Sequence, residues 1–296
     1  MGEIAAISTA IFWAFTSIFF SEAGKRVGSL VLNRVRLLIA SILLLVTHLV
    51  IQGHLLPLDV GLWRFFWLVM SGVIGLSLGD FFLFQSYIMI GPRTTTLLMA
   101  LTPVVGTVLA WFFLGEILNF FEILGISITI IAIAWVIWEK YGLANNKDQK
   151  MDWNGLLYGG GAVICQAIGL ILSKKGLEDN YPAISGVLIR ILSAAVAIWL
   201  FTFLKREIIM SRIVFEKAGA LKFTVLGSIV GPYLGVWFSL IAVQHIPVGI
   251  ASTLMSLTPV IVLPISYFFY REKITLRIFI GTLGAFIGVA ILFLVV

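Results

Sequence analysis

Apolar runs of near-membrane length recur ten times along the chain: Ile4–Phe20, Val31–Ile51, Phe66–Ile90, Thr94–Leu114, Phe121–Trp138, Leu156–Leu172, Ile184–Leu204, Phe223–Val243, Val248–Tyr270 and Ile278–Val296. A helix needs about 20 apolar residues to cross the hydrocarbon of a bilayer. The runs are continuous rather than alternating, so they predict helices and not barrel strands. Turn-forming residues separate them at His54 to Pro57, Gly91-Pro92, Tyr181-Pro182 and Ile246-Pro247. The most polar stretch, Glu139–Asp152, leaves five runs on either side. The pattern predicts an all-α membrane protein with repeats at residues 1–142 and 154–296, joined by a polar linker at 143–153. Five is odd, so the second repeat enters the membrane from the opposite side and the repeats are inverted.

The halves also share residues. Leu98-Met99, Leu101-Thr102-Pro103-Val104, Phe112-Phe113 and Glu116 recur 156 positions later as Leu254-Met255, Leu257-Thr258-Pro259-Val260, Phe268-Phe269 and Glu272. Gly75 and Gly79 match Gly231 and Gly235 at the same offset. Arg36 and Arg190 correspond at an offset of 154. A membrane protein of two similar halves is commonly a transporter with its site at the seam.

The composition agrees: 60% of residues are hydrophobic and 11% charged, against about 45–50% and about 25% in a soluble domain. Cys165 is the single cysteine, which excludes an intrachain disulfide and a cysteine metal cluster. His48, His54 and His245 have no ligand spacing, and no cofactor is expected. The net charge of +6 carries no basic stripe interleaved with aromatics. It fits loops that face anionic membrane lipids, not a nucleic-acid partner. Met1-Gly2-Glu3 lacks the basic start of a signal peptide, so the first run reads as retained. Of the 20 Lys and Arg residues, 16 fall on one side of the ten-helix layout and only Arg64, Lys174 and Lys175 on the other. That bias puts both termini outside the cytoplasm of a cell-membrane protein.

Few polar side chains fall inside the runs. Asp80 lies mid-run, and a carboxylate there costs a few kcal/mol unless protonated, hydrated or paired. It reads as a proton or cation coupling group or a ligand for a substrate ammonium, or else as a structural partner of Arg36 or Arg190. The two arginines read as snorkelling to the interface or as an anion clamp at the cavity rim; Arg34 reads as interfacial. Pro103 and Pro259 remove a helical hydrogen bond in matching places and are expected to act as hinges. Thr102 and Thr258 could bond the freed carbonyls or face substrate. The paired glycines, and Gly284 with Gly288, suit close helix packing, sliding or a dimer seam. Trp13, Thr16, Gln85, Tyr87, Gln166, Tyr233 and Trp237 complete the polar or amphipathic set away from run ends. Trp63, Trp67, Trp135, Trp138 and Trp153 read as interfacial, and Glu116 and Glu272 as helix caps.

Two copies of Leu-Thr-Pro-Val, each followed by a Glu and then by Gly125 or Gly281, within ten helices, resemble the paired EamA-type domains of the drug/metabolite transporter superfamily. The resemblance covers nearly the whole chain. It implies a secondary transporter, commonly an exporter of amino acids or other small metabolites. It implies a central cavity that maps here onto Trp13, Asp80, Met99, Thr102, Gln166, Trp237, Met255 and Thr258; Thr16 and Tyr233 join these as substrate-binding candidates. Family members are commonly drawn with cytoplasmic termini, opposite to the Lys/Arg bias. The first run lacks the embedded Glu of small multidrug relatives, and the lysine motifs of sugar-phosphate relatives are not evident.

The expected function is alternating access for a small metabolite, with proton coupling through Asp80, in a monomer or homodimer. Flipping of a lipid or polyprenyl carrier is an alternative within transport. In another class, Ser77-Leu78-Gly79-Asp80 resembles the Gly-x-Gly-Asp site of intramembrane aspartyl proteases. That chemistry needs a second membrane Asp, and Asp59, Asp148, Asp152 and Asp179 all lie in loops.

Overall fold

The computed structural model describes residues 1–57, 59–114, 119–142, 152–179, 181–246, 248–271 and 275–294, and among these every regular element is helical. Helices α1 (Gly2–Val27), α2 (Ser29–Gln52) and α3 (Leu62–Ile90) are followed by a split helix, α4a (Pro92–Met99) and α4b (Thr102–Leu114). Then come α5 (Phe120–Gly142), α6 (Trp153–Gly176), α7 (Ala183–Leu204) and α8 (Ala220–His245). A second split helix, α9a (Val248–Met255) and α9b (Thr258–Tyr270), precedes α10 (Leu276–Leu294). Seven described helical stretches are long and apolar enough to cross a membrane; Ile123–Glu139 and Leu276–Ile291 are shorter apolar helices. Glu116, Glu272 and linker residues 143–151 lie outside the described residues.

Helices outrun their apolar stretches where polar ends can be satisfied. α1 continues to Val27 because Glu22 pairs with Lys25 at 3.3 Å and Arg26 at 2.9 Å, at i,i+3 and i,i+4 spacing. Gly28 alone joins α1 to α2, at φ 81°, ψ 159°. Gly91 joins α3 to α4a at φ 83°, ψ 162°. Both conformations are nearly closed to residues with a Cβ. α6 starts at Trp153 because Asp152 caps it, accepting from the Gly155 N–H.

Packing between the halves is reciprocal. α1 lies against α8 and α9, while α6 lies against α3 and α4. α2 packs on its counterpart α7, and α5 on its counterpart α10. The paired glycines make the close approaches: a Cβ on Gly79 would meet Cys165 of α6, and one on Gly235 would meet Trp13 of α1. Gly281, Gly284 and Gly288 of α10 face Val136, Ala132 and Thr129 of α5. These α10 glycines are therefore filled by packing inside the chain, not presented as a dimer seam. Large apolar side chains such as Ile42, Val46, Ile131, Val196, Leu200 and Ile280 are exposed. A surface this apolar requires lipid.

Candidate functional site

The site begins with two defects in corresponding places. α3 widens into a π-helix over Gly72–Gly79, and α8 does so over Ile229–Gly235, which contains Pro232. A π turn disturbs the ordinary carbonyl ladder and is frequent at functional sites. In α3, side chains from both halves bond three consecutive carbonyls of this segment. Gln166 of α6 donates to Gly75 O at 3.2 Å, Arg36 of α2 to Leu76 O at 2.8 Å, and Asn33 of α2 to Ser77 O at 2.8 Å.

Asp80 follows directly. Its Oδ2 accepts from Arg36 Nη2 at 2.5 Å and its Oδ1 from Gln166 Nε2 at 2.6 Å. Arg36 also donates from Nε and Nη2 to Asn33 Oδ1 and lies 4.8 Å over the Phe84 ring. A guanidinium so placed gains cation–π attraction as well as its hydrogen bonds. The buried pair is thus supported by further hydrogen bonds through Nε and Nη2 of the guanidinium, as burying charge requires. Asp80 stands as a bonded partner of Arg36.

α4 and α9 break at matching turns just before Thr102-Pro103 and Thr258-Pro259. Proline cannot donate to the carbonyl four residues back, here Met99 or Met255. In α9 the gap is closed, since Thr258 Oγ1 donates to Met255 O at 2.7 Å. In α4 the corresponding Thr102 Oγ1 is buried without a hydrogen-bond partner. The same device is satisfied in one half and left open in the other.

These parts surround a cavity of about 180 Å³, more than ten times the ~10–15 Å³ that one water needs. Of the predicted residues, Trp13, Thr16, Asp80, Met99, Thr102, Gln166, Met255 and Thr258 line it, as do Pro103 and Pro259. Tyr233 and Trp237 do not. They pack with Leu240 and Ile241 toward α2 and α7, and the Tyr233 hydroxyl bonds Thr47 at 2.8 Å. The cavity line on α8 is instead Pro232, Val236 and Ser239. The π turn adds a residue to the coil, which rotates later side chains by roughly 100° against an unbroken helix.

The arginines are not at a rim. Arg36 is 2% exposed and Arg190 4% exposed, both in the helical core, and only Arg36 lines the cavity. Arg36 need not snorkel, because α3 supplies it with polar partners at depth; Arg190 stays buried although its Nε has no hydrogen-bond partner. Arg34 is also buried, held at 2.9 Å by Glu207 from the segment after α7.

A family model described as the EamA-like transporter family matches residues 1–138 and 153–294. The chain belongs to the EamA-like transporter family. Membership agrees with the drug/metabolite transporter resemblance and makes this a multi-pass membrane transporter, which implies a small-molecule substrate and contact with membrane lipids. The two matched stretches fall on the helices before and after the linker, so both sides of the cavity are family-like. The fold is similar to that of a solved structure described as a crystal structure of protein, at 15% identity and TM-score 0.66, over 99% of this chain and 96% of that one. No curated protein matches the chain.

Phe20, Phe84, Pro232, Ser239 and Ser252 line the cavity, and Asn33 bonds Arg36, without having been singled out in the sequence; Tyr87, named there among the polar residues within the runs, lines the cavity too. For Asn33 a signal existed, since a polar residue three positions before Arg36 shares its helix face. Ser252 is the repeat counterpart of Thr96, and both line the cavity. Among the described residues no group of three or more His, Cys, Asp or Glu is placed to hold a metal ion.

Proposed function

We propose that this chain is a secondary transporter of ten membrane-spanning helices in two inverted five-helix repeats, carrying a small metabolite through the central cavity of a cell membrane by alternating access. The observation that carries the reading is the cavity wall. Met99 and Met255, Thr102 and Thr258, and Pro103 and Pro259 all line it, as equivalent residues from opposite halves. The reciprocal packing of α1 on α8 and α9, and of α6 on α3 and α4, supports the inverted arrangement. The helix breaks serve as bend points when the halves rock. Export of an amino-acid-sized solute is the direction and size the resemblance favours. Proton coupling falls to Asp80, whose protonation would loosen its bond to Arg36.

The reading is tested by thermal unfolding of the purified protein against panels of amino acids, organic acids, polyamines, nucleosides and lipids. A substrate of this cavity raises stability by about 2.7 kcal/mol at a hundredfold excess over its Kd. Proteoliposomes should then transport that compound and exclude non-stabilising ones. A stabilising compound that vesicles fail to transport contradicts the reading.

A further inference from the structure

Charges in the core between α2, α3 and α7 do not balance. Arg36, Arg190 and Asp80 are all buried, and Asp80 is the acidic side chain bonded there. Its two oxygens are already engaged by Arg36 and Gln166, so a substrate ammonium would have to compete with both for it. Among the described residues no carboxylate stands within ion-pair distance of Arg190, and its Nε is buried with no hydrogen-bond partner. The space over Gly75 is where Arg190 and α6 converge: a Cβ there would lie 3.8 Å from Arg190 Nη2 and 3.9 Å from Gln166 Oε1. Arg36 bonds through Nε and Nη2 and lines the cavity. One positive charge is left over beside a cavity, where an uncompensated buried charge is strongly unfavourable.

We propose that the cavity takes a small organic carboxylate with an apolar body and no ammonium group, whose negative charge compensates the surplus held by Arg36 and Arg190. A guanidinium matches a carboxylate in shape and charge. Trp13, Phe20, Leu83, Phe84, Met99 and Leu170 supply the apolar wall. Arg190 is a positioning residue: it offsets Asp80 at a distance, so that Arg36 keeps charge to offer the substrate. The proposal rests on reading this cavity as the transport site and narrows its substrate class.

The test uses the full chain in detergent at neutral pH. Dissociation constants are measured for isocaproate, isocaproamide, isoamylamine and leucine, which share one apolar body and differ in the charged group. Isocaproate should bind about 10–100-fold more tightly than isocaproamide, the range for a hydrogen bond to a charged group. Arg190→Gln should collapse that preference, and Arg190→Lys, which keeps the charge, should retain it; a role in packing alone would not separate the two. Binding should vanish in Ala100→Trp, which fills the cavity. If the amide, the amine or leucine binds as tightly as isocaproate and is lost in Ala100→Trp, the carboxylate proposal falls and the cavity reading stands. If isocaproate still binds to Ala100→Trp, both fall. Absence of isocaproate binding, or a preference unchanged in Arg190→Gln, overturns the proposal.

Discussion

An Asp80→Ala protein is expected to lose about 3–5 kcal/mol of stability, the usual cost of removing one partner of a buried ion pair. The loss is large because Asp80 is the hub of three helices. Without it Arg36 keeps Asn33 and Leu76 O but has no counter-charge, and Gln166 keeps only Gly75 O. Replacing both charges, with Asp80→Leu and Arg36→Met together, should recover most of the loss, because well-packed apolar residues substitute for buried ion pairs at little cost. Denaturation of the single and double variants in detergent gives the coupling directly. Additive losses would mean that the pair does not carry the core. Asp80→Asn separates structure from coupling. It keeps much of the shape and loses the titrating group, so transport should become insensitive to pH. Transport with wild-type pH dependence would remove Asp80 from proton coupling.

Ala100→Trp is expected to reduce transport at least about 100-fold, as loss of several kcal/mol of ligand binding does, while leaving the helical fold intact. Ala100 is buried in the turn between α4a and α4b and lines the cavity. Ala100 belongs to a buried cluster with Leu97 and Leu98, and an indole in its place would extend into the cavity that it lines. Its counterpart Ser256 lines the opposite wall, so Ser256→Trp should block as well. Filling open space costs less than overpacking a closed core, which typically costs about 1–3 kcal/mol. Unfolding temperatures near wild type with transport lost would locate the path. Undiminished transport would place it elsewhere.

Much of this was legible in the sequence, and particular residues show why the rest was not. The apolar runs and the proline pair carry their own signals: length against hydrocarbon thickness, and a missing N–H. The glycines paired at an offset of 156 lie where the halves approach. Asp80 stood out because its cost does not depend on its neighbours. The depth of Arg36 was not legible, since a long flexible stem fits an interface as readily as a core. Its burial depends on carbonyls opened by a π turn, and nothing local in Gly72–Gly79 distinguishes a π turn from an α-helix with glycines. The same turn displaces Tyr233 and Trp237 from the face that an unbroken helix would give them. The open hydroxyl of Thr102 against the bonded one of Thr258 is a difference of geometry between identical residues.

Alternating exposure of the cavity is the central claim, and cysteine accessibility measures it most directly. With Cys165, the chain's one cysteine, replaced by Ala, Met99→Cys places a thiol in the cavity wall of vesicle-reconstituted protein. A membrane-impermeant maleimide applied to either face should label it, and bound substrate should shift labelling between the faces. Labelling from one face alone, whatever the ligand, would contradict the account.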